Sequence, residues 1–421
     1  MKAALFMSRS VMACAVITCC CASVAQVPAT AAPALLTPGI LLQAARPTGI
    51  EHCVAIDGGW MVPYEETLPG TPVRFTMIPV PGGTFRMGSP NDEAGREIIE
   101  GPQFTVTLPP FWIGRCEVTW GEYRTYMEAL PIFLERNEGR RPPTPAAVGA
   151  DAVTAPSALY APDAVYADVA ADRPATGMSQ YAARQYTKWI SKLTSRFYRL
   201  PSESEWEYAC RAGSSKPWHS GADIAALNEV AWYADNARGE THPVGRKCAN
   251  AWGLHDMHGN VAEWVMDEVV AEGYARQALL SKPVQMKEAI QWPKQLESRA
   301  VRGGAFYDEP TECRSAARRQ SRDQEWNDTD AERFKSPHWF MEGEPCGLGF
   351  RIVRPLVSPD AAERERWWEA DVESVRKAVA DRMQSGRAAS GLVDEEVVRQ
   401  LEAVLQRREN SDDSRKLPEQ P

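Results

Sequence analysis

The chain has 421 residues, of which 44% are hydrophobic and 14 are Trp, enough for one large or two ordinary domains with a substantial core. Its formal charge is −9 and its pI about 5.4, and no Lys/Arg-rich run breaks the mixed charge pattern, which argues against nucleic acid as a partner. Residues 1–25 read as an export signal. Lys2 and Arg9 give a positive start, 11–25 is apolar and small, and Ser23-Val24-Ala25 is a small-x-small cleavage site. The apolar run is too short to stay in a bilayer, and no later run is long enough for a membrane helix. The reading is an exported protein, whether periplasmic, secreted or cell-surface; Cys19, Cys20 and Cys21 leave a lipid-anchored form as the lesser alternative. Cleavage leaves Cys53, Cys116, Cys210, Cys248, Cys313 and Cys346, which suit either disulfides or small buried side chains.

In chain order, 26–70 reads as an N-terminal linker. Phe75, Met77, Ile78 and Val80 then alternate ahead of Pro81-Gly82-Gly83, giving a strand, a tight turn and a second strand through Met87. Residues 104–108 and 111–118 are further strands. Thr119 can cap a helix from Trp120 to about Leu130. The Ala- and Pro-rich stretch at about 137–172 reads as a surface insertion. Residues 179–194 form the strongest helix of this half, with Tyr186, Trp189, Ile190 and Leu193 on one side. Ser202 and Glu205 make an S-x-x-E capping box for a helix carrying Trp206, Ala209 and Cys210. After a turn-rich 232–245, residues 267–293 read as a loop excursion. Residues 300–306 are a strand broken by Gly303-Gly304, a pair that suggests a bulge or a close backbone approach. A charged loop follows to Glu344, and 349–355 closes the domain as a strand. Beyond Val357, one helix carries Trp368, Val372, Val375, Val379 and Met383, and Asp394 caps a second with Val397, Leu401, Val404 and Leu405. This helical extension, 357–409, can dock on the main domain or bind a partner; 410–421 is polar and reads as disordered.

Residues 250–264, NAWGLHDMHGNVAEW, concentrate turn formers, oxygen-bearing side chains and large aromatics without a helical apolar stripe. That is the composition of a rigid loop corner. Asp256, Asn260 and Glu263 could hold a calcium ion, which takes oxygen ligands and backbone carbonyls. The plainer alternative is a turn with solvated carboxylates. His255 and His258 could suggest a transition metal, but no third ligand stands out.

Six blocks in order, MIPVPGGTFRMGS (77–89), IGRCEVTWGEY (113–123), RLPSESEWEYACRAG (199–213), 242–264, AVRGGAF (300–306) and GFRIVR (349–354), resemble the formylglycine-generating enzyme family, the sulfatase-modifying factors. The resemblance covers about 75–355. It implies an α+β fold, compact, with many short strands and related to C-type lectins, here with the helical extension added. It also implies a structural calcium on Asp256, Gly259, Val261 and Glu263, the Gly and Val through backbone carbonyls. A second calcium known in some members would need ligands around 232–240, where none can be placed.

The family's oxidation of a substrate cysteine with O₂ uses copper(I) held by two thiolates shortly after the Gly-Gly strand. In this chain the first of those positions matches Asp308 and the second has no cysteine in register; Cys313 falls too late. The family's active-site serine is Ala305, and a Trp of the central motif is Ala262. The expectation is therefore an exported, non-catalytic binding or scaffold module whose groove takes a peptide, protein or glycan. The alternative is a formylglycine-generating oxidase that converts a sulfatase cysteine through a rearranged copper site including Cys313, with Cys346 or Cys210. Iron-dependent sulfoxide synthases share the domain, but nothing before Thr71 supplies their His-rich iron motif.

Overall fold

The alternation at 71–86 becomes two strands that belong to different sheets. The computed structural model describes residues 42–138, 151–156, 169–280, 282–323, 326, 336–340 and 344–413. The expected export signal, the first part of the linker, most of the insertion and the end of the tail lie outside the described residues.

The strands in chain order are β1 (Leu42–Gln43), β2 (Val54–Ile56), β3 (Gly59–Met61), β4 (Tyr64–Thr67), β5 (Arg74–Val80), β6 (Gly83–Met87), β7 (Phe104–Leu108), β8 (Phe111–Gly114), β9 (Val153–Ala155), β10 (Ala262–Glu268), β11 (Val284–Gln285), β12 (Arg299–Arg302), β13 (Arg318–Gln320), β14 (Leu348–Gly349), β15 (Val353–Pro355) and β16 (Ala389–Gly391). They make small sheets of order β1-β3-β2, β15-β8-β5-β4, β11-β7-β6 and β13-β12-β10-β14, and the pair β16-β9. The architecture is thus mixed α+β with many short strands, as expected.

Three helices of the main domain are capped as their sequences require. In α1 (Trp120–Met127), Thr119 and Glu122 form a reciprocal capping box. In α3 (Gln180–Thr194), which follows α2 (Ala129–Asn137), the Ser179 hydroxyl accepts from Ala182 N–H. In α4 (Glu203–Arg211), Ser202 and Glu205 form the expected box, and Arg199 clamps Glu205 with two bonds of 2.7 Å. Around α1 and α3 the core is aromatic: Tyr123 and Tyr186 stack at 5.5 Å, and Phe350 meets both edge-on.

Helix α3 is buried on its polar side as well, because the C-terminal extension covers it. That extension consists of α5 (Ala361–Trp368), α6 (Glu373–Gln384), β16 and α7 (Glu395–Asp413). Trp367 and Trp368, at its start, and Val397 and Leu401, near its end, enter the same core as the main domain. The covered polar groups are matched in charge: Arg184 meets Asp371 at 2.6 Å and Lys188 meets Glu369 at 2.6 Å.

Several expectations need correction. The linker reading fails from residue 42, where β1 to β4 form; the Asp57-Gly58 turn, with Gly58 at φ +84°, closes the β2–β3 hairpin. The insertion is not wholly superficial, since β9 is fully buried and pairs with β16. The excursion at 267–293 holds β11, paired in parallel with β7, and two short helices, Ala275–Ala278 and Met286–Ala289. The closing strand is two strands in two sheets. The helix expected through Met383 breaks at Glu369, whose extended backbone lets it and Asp371 turn inward to α3. Helix α7 continues to Asp413, into the stretch read as disordered; Arg, Glu and Gln favour helix beyond the apolar face.

Candidate functional site

The corner at 250–264 is held by backbone that most residues avoid. Asp256, Gly259 and Asn260 have φ of +54°, +80° and +60°. At Gly259 a Cβ would lie 2.0 Å from the Trp232 carbonyl oxygen, so only glycine fits. The Asn260 side chain ties the loop together: its oxygen accepts from His242 N–H at 2.8 Å and its amide donates to Glu117 at 3.1 Å.

The four residues expected to hold calcium do not share one role. Glu263 is fully buried and paired with Arg351, whose Nε and Nη2 reach its carboxylate at 2.6–2.9 Å; Trp206 Nε1 donates to it at 2.8 Å. The same guanidinium donates to the carbonyls of His255 and Asp256. Val261 is buried beside it. Asp256 faces elsewhere: Oδ2 accepts from Gly245 N–H at 2.6 Å, while Oδ1 is buried without a hydrogen-bond partner. Its neighbour is Glu117, a residue not expected to take part, whose Oε2 is also buried and unpartnered. Burial pushes the Glu117 carboxyl well above its usual range and the Asp256 charge pushes it further; burial likewise raises Asp256. With no metal, the raised Glu117 carboxyl can share its proton with Asp256; as two carboxylates, these hard oxygens in one desolvated place suit a calcium ion. Among the described residues, no group of three or more His, Cys, Asp or Glu side chains could hold a metal ion, so further ligands would have to be carbonyls or water. The signal for Glu117 in the sequence was only its place in the C-E-V-T block.

The two histidines are structural. Arg115 can only donate to His255 Nε2, at 3.1 Å, so Nδ1 carries the proton and donates to the Lys247 carbonyl. His258 Nε2 accepts from His219 N–H at 3.1 Å and Nδ1 donates to the Cys313 carbonyl at 2.7 Å.

The second feature is a cavity of about 390 Å³ beside the Gly303-Gly304 break. Both glycines have left-handed φ, +95° and +71°, and a Cβ on Gly304 would lie 2.7 Å from the Cys313 sulfur. It is lined by the small apolar side chains of Ala262, Val301 and Ala317, called its floor below, and by the charged Glu100, Asp308, Arg314, Arg318 and Arg319. Asp308, at the position the resemblance gives to a thiolate, accepts from Ala305 N–H at 2.7 Å and from Arg319 Nη1 at 3.1 and 3.2 Å. Burial raises its carboxyl, while the Arg319 charge works the other way.

No cysteine is among the residues lining this cavity. Cys313 is fully buried in a separate apolar cluster with Trp218, Leu227, Val230, Ala231 and Tyr233. Burial, then the Asp308 and Glu312 charges, push its thiol well up. Cys210 lies against His258 and Ser315, its thiol pushed up to about 12 by burial. Of the two readings for Cys313, a disulfide or a buried side chain, the structure has the buried thiol. A copper(I) ion needs two thiolates; the cavity presents a carboxylate already paired to a guanidinium. The donor set does not fit copper.

Comparison with known proteins agrees with the six sequence blocks. Residues 66–329 match the model of the sulfatase-modifying factor enzyme 1-like domain. A formylglycine-generating enzyme from Thermomonospora curvata is 29% identical over 266 residues, covering 56% of this chain and 84% of that protein. A hercynine oxygenase from Mycolicibacterium smegmatis is 29% identical over 214 residues, covering 48% and 47% of the two chains. Among solved structures, PvdO from Pseudomonas aeruginosa matches with a TM-score of 0.49 and 27% identity, over 69% of this chain and all of that one.

Proposed function

This chain belongs to the sulfatase-modifying factor enzyme 1-like family, and from that premise we propose that it is an exported, copper-free member which uses the cavity beside Gly303-Gly304 to bind a peptide or protein. The observation that carries this reading is the Asp308–Arg319 pair, an ion pair where the family's oxidation needs sulfur. Cys313 is buried in an apolar cluster behind Gly304, and burial and the Asp308 charge keep its thiol protonated, so it is a poor ligand for a soft metal. A cavity of this size with polar groups converging over an apolar floor is the ordinary form of a small binding site. Export rests on the apolar run before Gln26. Among the described residues no helix is long and apolar enough to cross a membrane.

Calcium belongs to the same proposal. Asp256 Oδ1 and Glu117 Oε2 would hold it, and bound there it would neutralise two buried like charges and brace the corner. Glu263 supports the corner through Arg351 instead.

Anaerobic titration with copper(I), followed by O₂ uptake on a cysteine peptide, tests the reading. The expected result is no stoichiometric copper and no conversion, in the native chain and in Cys313→Ser alike. Tight one-to-one copper binding that Cys313→Ser abolishes would overturn it.

A further inference from the structure

One side of the cavity is built from small side chains on neighbouring strands β10 and β12, with Arg319 of β13 directly across from Val301, and most of its charged lining residues are paired. We infer that this cavity is a subsite for a planar aromatic ring carrying, or followed by, a positive charge: an aromatic amine, or an aromatic side chain next to a basic residue. The inference rests on the binding role proposed above and names its ligand class.

The floor consists of Ala262, Val301, Ala317 and the Gly303-Gly304 backbone. None of these side chains has more than three carbons, and the glycines present bare peptide planes. At Gly303 a Cβ would point to the Trp206 ring and at Gly304 to Cys313, so the glycine backbones themselves form the surface of the cavity. Arg319, a quarter exposed, stands beside this floor with its guanidinium held by Asp308. A guanidinium fixed at the edge of a flat apolar surface suits a ring stacked against it.

Charge selects the rest of the ligand. Arg314 is neutralised by Glu93 and Glu100, Arg318 by Glu203, and Arg319 by Asp308. Arg96 turns back to the Ser89 carbonyl. Of the carboxylates lining the cavity, Glu97 and Glu312 are the exposed ones and mark its mouth; Glu312 accepts from Glu309 N–H at 3.1 Å. A cation leaving the cavity between them gains two charge partners; a carboxylate there is repelled.

The probes are tyramine, 4-hydroxyphenylacetate, which has the same ring with the opposite charge, and n-butylamine, which has the charge without the ring. Equilibrium dialysis of the full chain should give saturable one-to-one tyramine binding, with both other probes at least about tenfold weaker. Ala262→Trp fills the floor and should abolish tyramine binding; Ala317→Val should weaken it if the larger substitution fails to fold. The double variant Glu97→Gln, Glu312→Gln changes only exposed side chains and should erase the preference for tyramine over 4-hydroxyphenylacetate. Equal binding of the two ring compounds, or folded Ala262→Trp that keeps its tyramine affinity, would overturn the inference. If a basic peptide competes at this cavity while tyramine does not bind, the ring subsite fails and the binding role survives; copper binding would remove the role itself.

Discussion

Asp371→Asn removes one negative charge from between two buried guanidiniums and should loosen the extension from the main domain. In the native chain Asp371 accepts from Arg184 Nη1 at 2.6 Å and from Arg299 Nη1 and Nη2 at 2.9 and 2.6 Å. The arginine side chains are 1% and 3% exposed and the aspartate 14%. Breaking a buried pair by removing one partner costs about 3–5 kcal/mol, because the other charge stays buried. Arg184 keeps the carbonyls of Trp367 and Arg366, and Arg299 keeps Gln180. The asparagine oxygen also accepts, so the lower end, about 3 kcal/mol, is the expected loss. Burial by itself would raise the Asp371 carboxyl, but Arg184 and Arg299 together hold it well below the usual carboxylate range. A depressed carboxyl stabilises the fold above its unfolded value, about 3.9, and that stabilisation is lost as pH falls towards the folded value. Urea unfolding at pH 7.5 should therefore separate the two proteins, and their stabilities should converge on acidification below about pH 4. Hydrogen exchange should speed up in α6 and β16 and stay unchanged in β7. A loss under about 1 kcal/mol at neutral pH, within the range of exposed pairs, would refute the reasoning.

Three further outcomes follow from the corner and its neighbours. Without calcium, Glu117 and Asp256 have raised folded values, so they favour the fold most when protonated and disfavour it as pH rises through those values. Calcium at a hundredfold excess over its dissociation constant should therefore stabilise the fold by about 2.7 kcal/mol, and at one fixed calcium concentration the rise in melting temperature should be larger at pH 8 than at pH 5; Glu117→Gln should lose most of this calcium response, and an undiminished response would count against the site. Gly259→Ala meets both the left-handed φ and the Trp232 carbonyl and should cost about 3 kcal/mol or more in urea; native-like stability would mean the corner is not rigid. Ser202→Ala should cost about 1 kcal/mol through its lost cap at α4, read from the same unfolding curves.

The sequence by itself determined the elements whose signals are local. Thr119 and Ser202 marked helix starts because a hydroxyl there satisfies an N–H that the helix cannot. The Gly-Gly break and the 250–264 corner were legible because left-handed backbone selects Gly, Asn and Asp. The six blocks carried the family.

What only the tertiary structure decided is where charges and side chains from distant segments meet. Arg351 lies 88 residues from Glu263 and, with Trp206 Nε1, occupies its carboxylate. Glu117 comes to the corner from another block, and only folding buries its carboxyl beside that of Asp256. Cys313 had to be seen in its apolar cluster, behind the Gly304 backbone, before it was plain that it is not among the residues lining the cavity. The strands β9 and β16, each three residues long, carry no periodic signal; their pairing exists because the extension folds back over α3. Short-range physics writes caps and turns into neighbouring residues, whereas the desolvation that decides which charges pair depends on everything packed around them.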